Sequence, residues 1–390
     1  MSRLLTRLLG RLPIGWLQLV HQRGRFAAAL SGVAFANVLV FVQLGLMSSM
    51  GVSTLRPYQF FQGDILISAA DANTLTDGGN VARQWMLQAL ADPDVVDGMG
   101  LFVAMVPWDR GETDISLTTF GIDPFRTAFL APEIAADIDV LQVQDAAILD
   151  RLARGLTQEE AAAIRLQTPL SFETQGRTLT AYDTFAGGGG FVGDGYLLVS
   201  DQTFLSLFPA RSSGAPDHIL LRLRPGAQPD AVVDRLKTLI ADPTLRIRSY
   251  ADAMDEEVRF QQTQRPTGVI FGFGVLIGVL VGLVIVYQVL SADVADHLRE
   301  YATFKAMGYG PRFFLAIVIE EALVLGLLGF LPGLAMGTVI LTLMGKVTTL
   351  PMATTPGMAV TVFLGTVVFS VLSGVIATRR LAAANPADLF

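Results

Sequence analysis

Four long apolar runs dominate the pattern of hydrophobic and polar positions, at residues 26–50, 268–292, 314–344 and 357–378. Each exceeds the roughly 20 apolar residues that cross a bilayer core. The pattern predicts four transmembrane helices, at 26–50, 267–292, 314–344 and 357–378, separated after the first by a soluble block, 51–266. Within that block Gly63–Ser68 and His218–Leu223 alternate as strands do, while Gly100–Val106 and Leu245–Ser249 read as further strands. Val81–Leu90 has helical periodicity, and Pro229–Leu239 reads as a helix beginning at proline. Two β-α-β units are therefore expected, at about 60–106 and 217–260, with an inserted subdomain at 107–216. In the insert, Ala131–Leu152 and Gln158–Leu166 read as helices and Tyr196–Ser200 as a strand. The predicted fold class is an α-helical membrane protein with four transmembrane helices and a large α+β domain between helices 1 and 2.

Charge adds direction. Residues 1–25 carry five arginines and no acid, and lysine and arginine near membrane ends collect on the cytoplasmic side. The expected topology starts with a cytoplasmic amphipathic N-terminus at 1–25 and places 51–266 in the periplasm. A cytoplasmic connector follows at 293–313, then an outer loop at 345–356 with Lys346, and a cytoplasmic C-terminus at 379–390 with Arg379 and Arg380. The run Phe26–Met47 is too long for a signal-peptide core and no small-residue cleavage site follows, so an uncleaved anchor is expected. Mean hydropathy is +0.50 and only 16% of residues are charged, values a soluble globular chain rarely reaches, which points to a membrane protein. The block 51–266 holds 29 acids against 17 lysines and arginines, a net of −12. That argues against anionic headgroups on the domain surface, and no nucleic-acid partner is expected.

Candidate chemistry is sparse. There is no cysteine, and His21, His218 and His297 show no ligand spacing, so no metal site is expected. No Ser-His-Asp or HExxH pattern occurs, and an enzyme is not expected. Gly187–Gly190 with Gly193 and Gly195 lacks a following lysine and reads as a flexible loop, not a phosphate loop. Glu159–Glu160 and Glu256–Glu257 are adjacent; neighbours one apart on a helix do not face each other, so both pairs are expected to be solvated. No lysine, arginine or carboxylate sits in the centre of a span, which counts against ion-coupled transport. Glu320 and Glu321 are expected near the cytoplasmic interface, within reach of Arg312 or Lys305. Pro332 should kink the third span or break it. Gly268, Gly272, Gly274, Gly278 and Gly282 on the second span, and Gly329, Gly333 and Gly337 on the third, form stripes for close helix packing. They fit either packing within one copy or a seam between copies. Asp296–Pro311 (DHLREYATFKAMGYGP) is too polar to span and reads as a short amphipathic helix ended by Gly308 and Gly310–Pro311.

Arg299–Gly308 (REYATFKAMG) followed by Ile319–Gly337 (IEEALVLGLLGFLPGLAMG) resembles the MacB/FtsX-type permeases of ABC transporters. Ile14–Met47 and Ala377–Phe390 (ATRRLAAANPADLF) look like the DevC subgroup. The resemblance implies a homodimer that docks an ATPase subunit through the connector, with Arg299, Glu300, Tyr301, Thr303, Lys305, Met307, Gly308 and Tyr309 as coupling residues. No GxxxxGK[ST] pattern occurs, so the resemblance places ATP and Mg on a separate ATPase chain and no cofactor on this one. DevC-type systems also imply a periplasmic membrane fusion protein, a TolC-like outer-membrane channel, and export of a lipid or other hydrophobic cargo by mechanotransmission. An FtsX-like signal relay to periplasmic partners and LolC/LolE-like lipoprotein release are the alternative expectations.

Overall fold

The computed structural model describes residues 14–21, 23–111, 114–297, 300, 303–305 and 307–383. The chain divides into two units, one comprising Ser49–Gly268 with Thr348–Pro351 and the other the remaining segments.

The first unit is built on a nine-stranded sheet. Its strands are β1 (Ile65–Ala69), β2 (Val95–Asp109), β3 (Asp114–Ile122), β4 (Ala146–Asp150), β5 (Leu170–Thr174), β6 (Arg177–Phe185), β7 (Gly195–Ser200), β8 (His218–Leu223) and β9 (Leu245–Ser249). They run in the order β5-β6-β4-β7-β3-β2-β8-β1-β9. Helix α3 (Gln84–Ala89) joins β1 to β2, and α7 (Pro229–Ile240) joins β8 to β9. The strands of each β-α-β unit do not pair with each other. Instead β1 lies antiparallel between β8 and β9, and β8 lies antiparallel between β1 and β2. Interleaving is the split β-α-β arrangement, which buries every position of the apolar run ILISA in β1.

The insert extends this sheet instead of standing beside it. Residues Val95–Leu101 of β2 pair with β8, while Phe102–Asp109 pair with β3. A single 15-residue strand thereby belongs to both halves. Ala131–Leu152, expected as a helix, is instead a helical turn α4 (Pro132–Ala135), a 3-10 segment (Ile138–Gln142) and the strand β4. Asp145, at φ 57°, turns the chain into β4, whose five residues are all buried. A short apolar run on a two-sided buried strand has no period that separates it from a helix. The expected helix near 158 is α5 (Gln158–Ala163), closed by a capping box between Thr157 and Glu160. After β7 comes α6 (Asp201–Leu207), and after β9 comes α8 (Tyr250–Thr263), both capped by serine side chains, Ser200 and Ser249.

The second unit holds the short helix α1 (Ile14–His21) and most of α2 (Arg23–Leu55), α9 (Pro266–Asp296), α10 (Pro311–Thr348) and α11 (Pro356–Ala383). Four of these are long and apolar enough to cross a membrane, and α10 runs through Pro332 as one helix. Helix α2 occupies the middle. A Cβ added at Gly329, Gly333 or Gly337 of α10 would meet Val33, Asn37 or Phe41 within 2.7–2.9 Å. On its other side Gly278 and Gly282 of α9 face Val40 and Ala36, and Gly274 faces Gln43. Gly268 lies outside this seam, against the backbone of Gln261 and Gln262 where α8 gives way to α9, and Gly272 has nothing within 4 Å. Inside the bundle the Thr366 hydroxyl donates to Asn37 Oδ1 at 2.6 Å, and Ser373 donates to the Leu283 carbonyl at 3.0 Å. Such bonds fix helix register where no water competes. Ile270, Phe273, Ile277, Leu280 and Val284 recur along an exposed face of α9.

Candidate functional site

Two places combine unusual side chains with a position that could transmit motion. The first is the connector between α9 and α10. Arg299 and Tyr301 lie outside the described residues. Glu300 is exposed and accepts a 3.5 Å hydrogen bond from the Gln18 side chain of α1. Thr303 and Lys305 are exposed on a helical turn. The amide N–H groups of Met307, Gly308 and Tyr309 then donate to the carbonyls of Thr303, Lys305 and Phe304, each at 3.1 Å. Gly308 takes φ 93°, the left-handed conformation that ends a helix and that residues with a Cβ adopt only at a cost.

Met307 is 61% exposed and Tyr309 45%. Tyr309 is held from beneath, its ring 4.5 Å from Phe313 and 5.6 Å from Phe304. Phe304 and Phe313 pack in turn against the apolar core of the bundle. The aromatic spacing 304, 309, 313 was the signal in the sequence for this support. Glu320 accepts from the Trp16 backbone N–H at 3.3 Å. Glu321 is fully buried beside Gly15 and Asp293, with neither carboxylate oxygen hydrogen-bonded among the described residues. The expected pairing of Glu321 with Arg312 or Lys305 is therefore not seen among the described residues.

The second place lies in the sheet domain, where the chain arrives from α2 and departs into α9. Glu257 of α8 is 5% exposed. Its Oε2 accepts from the Tyr58 hydroxyl at 2.7 Å and from the Leu75 backbone N–H at 2.8 Å. Tyr58 sits in the 3-10 turn that follows α2. Tyr250 donates to the Tyr58 carbonyl at 2.9 Å, and Arg265, at the foot of α8, pairs with Asp77 at 3.1 Å. One carboxylate thus ties the exit of α2, the 70–80 loop and the helix leading to α9. Burial pushes the Glu257 carboxyl up to about 7, against the opposing pull of its two hydrogen bonds. Glu256, its neighbour, points outward to Arg246 and Arg248, both at 2.9 Å.

The expectation that this acid pair is solvated holds for Glu256 only. Residues one apart leave a helix in different directions, so one faced water and the other the core. The stripe Ala253, Glu257, Gln261 at spacing four was the signal. Behind this cluster His218 is buried, its ring nitrogens against Ser68 Oγ at 2.9 Å and the Leu75 carbonyl at 3.0 Å. Burial lowers its pKa and keeps it neutral. Among the described residues no group of histidine and carboxylate ligands could hold a metal.

The glycine loop is ordered by a buried acid. Asp150 accepts from the N–H groups of Leu152, Gly187 and Gly188 at 2.9, 2.8 and 2.6 Å. Arg154 ties the rest, through Asp194 at 2.9 Å, the Gly190 carbonyl at 3.3 Å and Thr349 Oγ1 at 3.3 Å. The loop read as flexible is therefore fixed, and the amides a phosphate would need already face a carboxylate.

Residues 272–386 match the model of the FtsX-like permease C-terminal family. Among solved structures the chain is similar to the periplasmic region of MacB from Actinobacillus actinomycetemcomitans, at 10% identity over 52% of this chain and 95% of that one, with a TM-score of 0.34. It is also similar to the extracellular domain of YknZ, a noncanonic ABC-type transporter from Gram-positive bacteria, at 10% identity over 48% and 98%, with a TM-score of 0.33. No curated protein matches the sequence.

Proposed function

We propose that the chain, whose residues 272–386 match the FtsX-like permease C-terminal family, is an ABC-type permease of the MacB/FtsX kind and the permease subunit of an exporter driven by a separate ATPase. The connector is the observation that carries this reading. Exposed Met307 and Tyr309 stand on an aromatic cluster rooted in α10, with Glu300 and Lys305 exposed beside them. Apolar and aromatic side chains at the centre with charges at the rim are what a protein partner needs for affinity and register. Helix α9 runs unbroken for 31 residues from the foot of α8 to the connector, roughly 46 Å of rigid rod at 1.5 Å per residue. A displacement imposed on the connector would reach the Glu257 joint along that rod. No chemistry is asked of this chain; the ATPase binds ATP and Mg and performs the hydrolysis.

In this reading the connector and both termini are cytoplasmic, the sheet domain is periplasmic, and two copies pair in the inner membrane. A fusion protein and a TolC-like channel would complete the DevC-type assembly, with a lipid or other hydrophobic cargo. Two experiments test it. A periplasm-only reporter inserted at Gly176, an open turn at φ 70°, should be active; silence there would reverse the topology. Replacing Glu300 and Lys305 together by alanine should reduce permease-stimulated ATPase turnover about tenfold while leaving the amount of inserted protein unchanged, in line with losing two rim charges of an interface. Unchanged stimulation would remove the docking assignment.

A further inference from the structure

Helix α2 ends at Leu55 and α10 at Thr348, so with both spanning the membrane, residues 52–56 and 349–351 emerge on the same side of it. A cavity of about 200 Å³ opens between these two segments and the glycine loop. Its polar lining has one sign. Arg56 and, one turn earlier on the same face, Ser53 contribute donors, and no carboxylate lines it. Arg56 donates to the neutral Gln59 Oε1 at 3.2 Å and takes part in no ion pair among the described residues. The Ser53 hydroxyl is buried with no hydrogen-bond partner among the described residues, a state that costs free energy unless a ligand or water relieves it. Other donors nearby are engaged: the Gly187 and Gly188 amides by Asp150, and Arg154 by Asp194. What remains is a guanidinium whose side-chain acceptor is neutral and a hydroxyl with no hydrogen-bond partner among the described residues, which together suit an oxyanion.

The apolar part of the lining completes the picture. Val52 is 44% and Leu152 47% exposed at the rim. A cation at the end of a spanning helix, next to exposed aliphatic side chains, lies where a lipid phosphate meets its first methylenes. The sheet domain repels anions in general, with 29 acids against 17 basic residues over 51–266; this cavity is a local exception.

We propose that Ser53 and Arg56 bind the phosphate of a lipid headgroup in the leaflet where α2 ends, its proximal methylenes resting on Val52 and Leu152. The inference rests on α2 and α10 spanning the membrane, not on what the protein exports. The test uses the detergent-purified full chain, with phosphatidylglycerol, the matching diacylglycerol and inorganic phosphate as separate additions. Phosphatidylglycerol should raise the thermal midpoint and stay bound in native mass spectrometry, while diacylglycerol and inorganic phosphate should do neither. Arg56→Gln should weaken retention about tenfold, as expected for one charge-assisted phosphate contact. Arg56→Lys should restore part of it, and Arg222→Gln, an arginine outside the cavity that donates to the Ala128 carbonyl, should change nothing. Equal retention by the Arg56→Gln and parent chains overturns the site. A midpoint raised by inorganic phosphate alone overturns the lipid as its ligand.

Discussion

Replacing Glu257 by glutamine will remove a loss of stability that the parent chain suffers between about pH 4.5 and 7, and replacing it by alanine will destabilise the sheet domain at every pH. The carboxyl, raised to about 7 by burial, returns to its ordinary value near 4.5 when the chain unfolds. Between those values the folded state holds a proton that the unfolded state has released, so stability falls as pH rises from about 4.5 to 7. A shift of that size corresponds to about 3 kcal/mol. His218 works in the opposite direction: its pKa is lowered by burial, so its contribution is lost as pH falls below the ordinary histidine range. The difference between the parent chain and Glu257→Gln isolates the carboxyl. In nanodiscs the parent's thermal midpoint, taken relative to that of Glu257→Gln, should fall between pH 5 and pH 8; parallel profiles would show that Glu257 does not titrate. Alanine leaves the Tyr58 hydroxyl and the Leu75 amide without their acceptor, and two stranded buried donors cost about 2–6 kcal/mol together.

The same joint shows what sequence patterning reveals and what it hides. Span length needed no structure, because lipid demands continuous apolar runs, a local pattern. The strands at His218–Leu223 and Leu245–Ser249 and the helix from Pro229 were legible for the same local reason. Strand order was not. Nothing within β1 states that β8 and β9 will flank it, since pairing is decided by residues some 150–180 positions away. Asp150 was hidden by its partners, the Gly187 and Gly188 amides, which are distant in sequence; for Glu257 the spacing-four stripe marks the buried face, but not the Tyr58 and Leu75 donors that hold the carboxylate. Of the connector residues, Met307, Gly308 and Tyr309 could be placed by the helix-ending glycine, and the spacing of Phe304, Tyr309 and Phe313 hints at the aromatic floor whose ring contacts the structure supplies.

Gly333→Leu should prevent α2 and α10 from packing, whereas Gly272→Leu should leave a single copy intact. At Gly333 even a Cβ would stand 2.7 Å from that of Asn37 and 3.1 Å from the Ala34 carbonyl. Those are backbone and backbone-proximal atoms, which cannot rotate away, so the helices must separate. Overpacking of this kind costs about 1–3 kcal/mol or more. Separation would also pull Asn37 from Thr366, losing the 2.6 Å bond that joins α2 to α11. The expected result is aggregation and loss of the monodisperse peak in size-exclusion chromatography. Gly272 faces open space on α9, near the exposed Ile270, Phe273 and Ile277. A leucine there adds apolar surface that lipid accepts, so insertion and thermal midpoint should stay within experimental error. If that face is where two copies meet, cysteine cross-linking between protomers at Phe273 will fall in Gly272→Leu while the fold of each copy survives. Tolerance of leucine at Gly333 would show instead that α10 does not approach α2 this closely.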